Sequence, residues 1–334
     1  MDLFTPISLG DLHLPNRVVM APLTRTRSGE AGIPGPLVAE HYAQRASVGL
    51  IITEGTYPSH ESRAYPGQPG IVTQEQIAGW RAVADAVHAE GGRIVMQLMH
   101  SGRVSHPLIN GTDRVVAPSA VAIDGETRTT TGKVAFPVPH ALTLEELAQV
   151  RDEFVAAARN AIAAGMDGVE VHSANGYLLH QFLSPVSNVR DDQYGGSPEA
   201  RARFVVEVTT AIAEAVGAGR VGIRLSPMHN IQDVFETDPA DATATYEAVV
   251  DGIAPLGLAY VSVLHGDPTG ELVQDLRERF AGPFIVNSGF GSVTSRDEVD
   301  AVPCGQGGEH RAHGVDDPVE AFAGGELEGA HRVE

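Results

Sequence analysis

Gly168-Val169-Glu170-Val171-His172-Ser173-Ala174-Asn175-Gly176-Tyr177 is the stretch that decides the fold. Residues 168–171 form a short, mostly apolar run, and an imidazole, a carboxamide and a phenol follow between positions 172 and 177. In a barrel of parallel strands, catalytic side chains lie at the carboxyl ends of the strands. The spacing therefore favours a strand that ends in an active site. An ordinary strand that ends in a capped histidine and an asparagine turn has the same local pattern, so the rest of the chain must decide between them.

Similar short apolar runs recur along the chain and alternate with amphipathic stretches. The candidate strands lie at residues 17–21, 49–53, 93–98, 168–172, 221–225, 259–264 and 283–287. Short strands that alternate with helices indicate a parallel sheet in an α/β domain, and closure into a barrel is the simplest arrangement for so many of them. The rhythm does not break in the middle of the chain, so we predict one domain rather than two.

The helices between these strands have clear start and stop signals. A serine or threonine N-cap precedes each helical pattern, a glutamine, glutamate or proline stands inside the first turn, and a glycine follows the last apolar residue. The predicted boundaries are Thr73 with Gln76 and Gly91, Thr143 with Glu146 and Gly165, and Ser197 with Pro198 and Gly217. The apolar stripes of these helices are assigned to the core.

Two further segments lie outside this alternation. Residues 4–15 precede the first barrel strand and contain Gly10-Asp11, which predicts a hairpin that closes the barrel floor. Residues 100–141 are rich in Pro, Gly, Thr and Ser and show no sustained periodicity. Long connections in compact domains tend to be functional, so we predict a lid over the active end of the barrel after the third barrel strand.

Composition narrows the class of protein. Lys and Arg total 23 against 43 Asp and Glu, a formal net charge of -20, which disfavours nucleic acid and anionic membranes as partners. The single cysteine, Cys304, excludes an intramolecular disulfide, and the N-terminal residues lack the pattern of a secretory signal. We therefore expect a soluble cytoplasmic protein that acts on a small molecule as a monomer or homodimer.

Four motifs in consistent order carry a resemblance to a known family. They are MAPLTR at residues 20–25, QLMHSGR at 97–103, HSANGYLLHQFLSP at 172–185 and NVRDDQYGGS at 188–197. Together they resemble the Old Yellow Enzyme family of FMN-dependent ene-reductases, from about residue 3 to residue 291. The resemblance implies a single (β/α)8 TIM barrel over residues 1–306 that binds one FMN without a covalent bond at its top face.

The resemblance also implies a cofactor site. Carried over position by position, the residues that line or approach the flavin are Pro22, Leu23, Thr24, Gly55, Gln97 and Arg224. In this scheme Gln97 binds the pyrimidine edge, and Arg224 offsets negative charge on the reduced ring. An arginine that points into a barrel is costly without an anionic partner, which favours a cofactor role for it. The backbone N–H groups of Ser288, Gly289 and Phe290 are expected to cradle the FMN phosphate.

For the reaction, the resemblance implies that His172 and Asn175 hydrogen-bond the activating oxygen of an alkene conjugated to a carbonyl or nitro group. Hydride from N5 of reduced FMN adds to the β-carbon, and Tyr177 protonates the α-carbon. NADPH, or NADH, then reduces the flavin again as a transient visitor, consistent with the lack of a G-x-G-x-x-G unit. Met99 and Tyr65 are expected to shape the substrate pocket.

The pattern departs from the family near the C-terminus. If Gly305 is the family glycine, Gln306 stands where the family has a phosphate-binding arginine, which removes one charge-assisted contact. Residues 307–334 are predicted to be a diverged C-terminal tail with the composition of a disordered segment. Its scattered histidines and acidic residues, together with Cys304, do not have the spacing of a closed zinc site, so we predict no metal.

Two other interpretations stay open at this point. The same scaffold could run a redox-neutral isomerisation or a dehydrogenation, with the hydride and proton positions unchanged. A barrel with weakened FMN binding could also serve as a non-redox binding protein, since the phosphate site is altered at Gln306. Flavin content and the response to NADPH distinguish these three functions.

Overall fold

A computed structural model of the chain describes residues 3–288 in full and residues 311–315 as backbone alone. The described strands are β1 (Ile7–Leu9), β2 (Leu12–Leu14), β3 (Val18–Met20), β4 (Leu50–Ile52), β5 (Ile94–Leu98), β6 (Val116–Ala117), β7 (Glu126–Thr129), β8 (Gly132–Ala135), β9 (His140–Ala141), β10 (Gly168–Ser173), β11 (Val221–Leu225), β12 (Tyr260–Leu264), β13 (Phe284–Asn287) and β14 (Arg311–Val315). The described α-helices are α1 (Pro36–Ala43), α2 (Gln74–Ala89), α3 (Pro107–Asn110), α4 (Leu144–Ala163), α5 (Leu178–Leu183), α6 (Pro198–Val216), α7 (Pro239–Ile253) and α8 (Glu271–Phe280). Short 3₁₀ helices cover His60–Ser62, Ala218–Arg220 and Ala254–Leu256.

The barrel consists of parallel strands that close on themselves. Around it run β3, β4, β5, β10, β11, β12, β13 and β14, and β14 pairs with β3 to complete the ring. Each strand predicted from the sequence coincides with a barrel strand to within two residues at either end. A TIM barrel is therefore confirmed. Its strands were recognisable because both faces are buried, which makes each strand a nearly continuous apolar run.

The eighth barrel position differs from the expectation. The seven candidate strands end at residue 287, whereas the structure has an eighth, β14, at Arg311–Val315, paired in parallel with β13 and β3. The range predicted as a tail, 307–334, therefore contains a barrel strand. Gly289, Phe290, Gly305 and Gln306 lie outside the described residues, as do the side chains once weighed as metal ligands.

The predicted helix boundaries are confirmed. Thr73 caps α2 and Thr143 caps α4, each through a reciprocal capping box with the residue three positions on. Ser197 caps α6, whose first residue is Pro198. Because these caps satisfy N–H groups that a helix leaves open, they fix where each helix enters from its loop. The sequence did not identify α1, α5, α7 or α8 by boundary signals.

Hairpin β1–β2 packs at the end of the barrel where the strands begin. The strands of the hairpin pair antiparallel, and Asp11 N–H donates to the carbonyl oxygen of Gly219 at 2.8 Å, next to the start of β11. Apolar residues of the hairpin share one buried cluster with interior residues of the barrel strands, Val19, Leu50, Ile52, Val95, Ala259, Tyr260 and Ile285. A larger cluster lies between the barrel and its helices.

The segment at residues 100–141 is more ordered than its sequence suggested. It contains α3, the antiparallel pair β7–β8 and the short parallel pair β6–β9. Two-residue strands and a one-turn helix are too short to produce a recognisable hydrophobic period, so the sequence showed none. β6 and β9 pair residues 116–117 with the end of the segment, and β7 and β8 lie between them in sequence.

A buried carboxyl group anchors the loop that follows β3. Glu54 is fully buried after β4, and its Oε2 accepts hydrogen bonds from the backbone N–H groups of Arg25 at 2.8 Å and Thr26 at 3.0 Å. Thr26 has a φ of 53°, in the left-handed region that a threonine rarely adopts. Burial raises the pKa of Glu54 to about 7, against the lowering effect of those N–H groups and of nearby Arg25 and Arg27.

This pKa predicts a pH-dependent difference in stability between the wild type and Glu54→Gln. A carboxyl group whose pKa is higher in the folded state favours folding at low pH and loses that contribution as pH rises through 4.5 to about 7. Glutamine keeps an acceptor for both N–H groups and does not ionise. The free energy of unfolding of the wild type relative to the variant should therefore fall by roughly 3 kcal/mol between about pH 5 and about pH 8.

Urea titrations of both proteins across this pH range measure the difference. Glu90→Gln, on the exposed surface after α2, serves as the matched control. A wild-type-minus-variant difference that stays constant with pH would show that Glu54 is ionised throughout and that burial does not govern its titration.

Candidate active site

The polar residues of the sequence motif meet at the carboxyl end of β10. His172 lies within this strand and is 3% exposed, while Tyr177 stands just before α5 and is 7% exposed. Their ring centroids are 5.2 Å apart. The side-chain oxygen Oδ1 of Asn175, between them in sequence, is buried and has no hydrogen-bond partner, and neither has Nδ1 of His172. The structure thus brings together the three side chains that the sequence singled out.

Burial sets the protonation of these groups. It lowers the pKa of His172 well below its ordinary value, and the positive charge of Arg224 lowers it further, so the imidazole is neutral. Burial also raises the pKa of Tyr177 above its ordinary value, against the opposite effect of hydrogen bonds from Tyr65 and Gln232. At neutral pH the site therefore holds a neutral imidazole beside a protonated phenol.

The backbone between Asn175 and Tyr177 is held in an unusual conformation. Asn175 and Gly176 have φ values of 57° and 80°, two consecutive residues in the left-handed region. A Cβ atom on Gly176 would stand 2.8 Å from the carbonyl oxygen of Ile231, so only glycine fits this position without a shift of the backbone. The turn directs the side chains on either side of Gly176 into the same end of the barrel.

Beneath this turn, polar side chains point into the barrel from neighbouring strands. Gln97 Nε2 donates to Oε1 of Glu170 at 2.8 Å, and one guanidinium nitrogen of Arg224 donates to Oγ of Ser262 at 3.2 Å. All four side chains are buried. Burial raises the pKa of Glu170, while Arg224 and Gln97 oppose that rise. The layer therefore fixes the orientation of Gln97 and surrounds Arg224 with partners.

Tyr177 also belongs to an apolar cluster. Tyr177 and Met99 belong to a buried cluster with Ala64, Val104 and Ile123, against which Tyr65 and Phe136 pack. The hydroxyl oxygens of Tyr65 and Tyr177 are 2.7 Å apart. The structure thus places both predicted pocket residues, Met99 and Tyr65, beside Tyr177. It adds Val104, Ile123 and Phe136, which had no pattern that marked them in the sequence.

The loops after β3, β4 and β13 carry the remaining predicted positions. Pro22 and Leu23 are half-buried and Thr24 is exposed. A Cβ atom on Gly55 would stand 2.5 Å from Sδ of Met99, so the close approach that the structure shows at this glycine is to Met99. Ser288 follows β13 with a buried Oγ that has no hydrogen-bond partner.

The sequence-based interpretation missed residues that hold the turn from other elements. Ser226 Oγ accepts the N–H of Asn175 at 2.8 Å, and Gln232 Nε2 donates to the carbonyl oxygen of Asn175 at 3.0 Å. Both residues lie after β11, some fifty positions along the chain from the turn. Only the topology reveals them, because the carboxyl ends of neighbouring parallel strands meet at one edge of a barrel.

The structure bears on membrane association in one respect and does not test the oligomeric state. Among the described residues, no helix is long and apolar enough to cross a membrane. The predicted cytoplasmic location and the predicted monomeric or homodimeric state stay predictions.

Comparison with known proteins adds independent information. The model of the NADH:flavin oxidoreductase / NADH oxidase family matches residues 2–278. A relative from Leishmania infantum is described as a probable flavin mononucleotide-dependent alkene reductase. It is 42% identical to this chain over an alignment of 294 residues, which covers 85% of this chain and 80% of the relative.

Solved structures agree with this match. The Old Yellow Enzyme homologue from Zymomonas mobilis has a TM-score of 0.85 and 35% identity, over 94% of this chain and 88% of its own. Morphinone reductase in complex with tetrahydroNAD has a TM-score of 0.85 and 41% identity, over 95% and 87% of the two chains. By sequence and by fold, the chain belongs to the NADH:flavin oxidoreductase / NADH oxidase family, in the Old Yellow Enzyme group of FMN-dependent ene-reductases.

Proposed function

We propose that this protein reduces an uncharged alkene that is conjugated to a carbonyl or nitro group. The observation that carries the proposal is the juxtaposition of His172, Asn175 and Tyr177, of which the first two have buried polar atoms without partners. Buried polar atoms normally find a hydrogen-bond partner, so these atoms are suited to a ligand. The side chains of Met99, Val104 and Ile123 near Tyr177 are apolar, which suits a neutral substrate.

The residues of the site fit FMN. Arg224 is buried at a strand end, where a positive charge suits an anionic ring, and Gln97 is oriented by Glu170 as a hydrogen-bonding group. Ser288 Oγ is buried without a partner at the end of β13, where the phosphate is expected. Pro22, Leu23, Thr24 and Gly55 would border the ring. When bound, FMN supplies the hydride that the alkene β-carbon receives.

His172 and Asn175 would bind the carbonyl or nitro oxygen. Negative charge develops on this oxygen as the β-carbon accepts hydride, so donors fixed there stabilise the transition state more than the ground state. The neutral imidazole has one N–H to donate. The carboxamide of Asn175 can present Nδ2 at the position of its buried Oδ1 by rotation about the Cβ–Cγ bond. Because the turn at Asn175 and Gly176 is already ordered, little reorganisation accompanies this stabilisation.

Tyr177 would hold the proton for the α-carbon. Burial keeps its phenol protonated at neutral pH, and Tyr65, 2.7 Å away, fixes the orientation of the hydroxyl group. A proton donor on the pocket side and a hydride donor on the barrel side would act on opposite faces of the alkene. The expected result is a trans addition of hydrogen.

Two parts of the fold would enclose this chemistry. Hairpin β1–β2 would close the barrel floor, so that the pocket opens only at the carboxyl ends of the strands. Residues 100–141 would form the lid, since Val104, Ile123 and Phe136 from this segment pack against Tyr177 and its neighbours. Arg190 donates to the carbonyl oxygens of Pro118, directly after β6, and of Leu142, directly after β9, and so connects the ends of these two strands.

The reductant would be a nicotinamide dinucleotide, NADPH or NADH, that enters the same pocket between alkene turnovers. The complex of morphinone reductase with tetrahydroNAD supports this assignment. His172 and Asn175 are suited to bind the carboxamide of a nicotinamide, since it presents an oxygen like that of the alkene substrate.

A visible absorbance spectrum of the purified protein, followed by anaerobic titration with NADPH and with NADH, tests the proposal. We expect the absorbance of oxidised flavin, its loss on addition of a reductant, and its return when an activated alkene such as 2-cyclohexenone is added. Reduction that the alkene does not reverse would indicate an isomerase or dehydrogenating enzyme. A protein that neither contains flavin nor acquires it from added FMN would be a non-redox binding protein.

Substitution of Tyr177 separates the role of the proton donor from that of the flavin site. Tyr177→Phe should still be reduced by NADPH at close to the wild-type rate, while alkene turnover falls by roughly 100-fold or more, because general acid catalysis contributes on that scale. Stopped-flow measurement of the two half-reactions gives both rates. Tyr194→Phe is the matched control, since it removes a hydroxyl bonded to Glu207 on α6, outside the pocket. Unchanged alkene turnover in Tyr177→Phe would place the proton source elsewhere.

A further inference from the structure

We infer that His180, backed by Tyr246 and Glu236, is a positioning residue that fixes the peptide group between Asn175 and Gly176. The inference rests on the proposed function in assigning catalytic roles to the side chains of Asn175 and Tyr177. His180 lies in α5 and is fully buried. Its ring joins the turn at residues 174–177 to a buried polar group contributed by α7 and the loop that precedes it.

The contact with the turn defines the tautomer of His180. Nδ1 of His180 accepts a hydrogen bond from the N–H of Gly176 at 2.8 Å. A ring nitrogen that accepts carries a lone pair, so the ring's hydrogen is on Nε2. The geometry therefore places this hydrogen on the side of the ring away from the turn.

The far side of the ring meets groups that match this tautomer. Nε2 lies 3.0 Å from the hydroxyl oxygen of Tyr246 and 3.3 Å from Oε1 of Glu236. The Tyr246 hydroxyl donates to both carboxylate oxygens of Glu236, at 3.0 and 3.2 Å, and Oε2 also accepts the N–H of Met228 at 2.7 Å. All three side chains are buried. Such second partners fix both the tautomer and the orientation of a histidine.

Gly176 links two side chains that the proposed function makes catalytic. Its N–H, in the peptide group shared with Asn175, is fixed by His180, and its carbonyl oxygen, in the peptide group shared with Tyr177, accepts from Gln181 Nε2 at 2.8 Å. Rotation of the first peptide group would turn Asn175 and Tyr177 relative to each other. A displacement of about 1 Å at a reacting group can cost on the order of 100-fold in rate. Loss of the acceptor at Nδ1 should therefore reduce alkene turnover although no substrate contact is removed.

Two variants of similar size distinguish the acceptor from the bulk of the ring. His180→Asn places its Oδ1 near the position of Nδ1 and keeps an acceptor for Gly176. His180→Gln extends its amide toward Tyr246 and Glu236 and leaves no acceptor atom at the position of Nδ1. Hydrogen–deuterium exchange of peptides that cover residues 174–179 reports on the turn without any flavin or substrate, and peptides from α2 report on global opening.

We expect exchange at 174–179 to be at least about 10-fold faster in His180→Gln than in the wild type, with α2 unchanged, and to stay within about 3-fold in His180→Asn. With FMN bound, kcat for alkene reduction should fall by on the order of 100-fold in His180→Gln and by less than about 10-fold in His180→Asn. The two measurements should change together across the variants.

Several results would overturn the inference. Unchanged exchange at 174–179 in His180→Gln would show that Nδ1 does not hold the turn. Faster exchange with unchanged kcat would show that the turn's order is not needed for the reaction, and equal effects of both variants would exclude the acceptor as the cause. If the FMN-loaded wild type does not reduce alkenes at all, the proposed function fails, and the exchange measurements alone then decide whether His180 holds the turn.

Discussion

The backbone at residues 174–177 is the constraint on which the site depends. Asn175 and Gly176 both lie in the left-handed region, where a non-glycine residue costs of order 1 kcal/mol or more. Such a conformation persists only if its surroundings determine it. Here each N–H and C=O of the two residues has a partner: Ser226, Gln232, His180 and Gln181 bond the groups of Asn175 and Gly176. With no backbone group left to compete, the side chains of Asn175 and His172 keep polar atoms free for a ligand.

The charged groups in the barrel interior are likewise held by specific partners. A buried cation is tolerated only with compensation, and Arg224 has Glu170 and Ser262 within its reach. The carboxyl of Glu170 is in turn oriented by Gln97. Burial lowers the pKa of His172, and the same positive charge, on its register partner in the neighbouring strand, lowers it further. The arginine proposed to offset a reduced ring therefore also helps to keep the imidazole neutral, so that in the proposed function His172 would bind an oxygen without adding a second cation to the site.

The sequence was sufficient for the parts of the fold that depend on local pattern. Strands buried on both faces gave apolar runs, and the caps at Thr73, Thr143 and Ser197 gave helix starts, because both signals lie within a few residues. The site residues of one motif were predicted for the same reason. By contrast, two partners of the turn, Ser226 and Gln232, are distant in sequence, Tyr246 acts on it only through His180, and β14 lies in the range predicted as a tail. Those contacts arise from barrel closure, which brings distant residues together without leaving a periodic pattern in either segment.

The lid segment and the catalytic turn share one connecting loop, and this limits how each can move. Arg103 is buried and donates to the carbonyl oxygens of Val121 in the lid segment and of Gln232 and Asp233 in the loop after β11. Gln232 and Asp233 have φ values of 58° and 56°, so this loop too is held in a costly conformation by its partners.

The shared loop also makes the lid sensitive to the turn. The carboxylate of Asp233 accepts the N–H of Asp124 at 2.6 Å, while the carboxamide of Gln232 binds Asn175. Hydrogen bonds from a charged donor are worth about 1.5 to 3 kcal/mol each, so displacement of the backbone at Val121 would remove support from the loop. Because the loop in turn holds Asn175, Arg103 connects residue 121 to the turn at residues 174–177. In the proposed function, this connection would support the oxygen-binding geometry from the side of residues 100–141 as well as from the barrel.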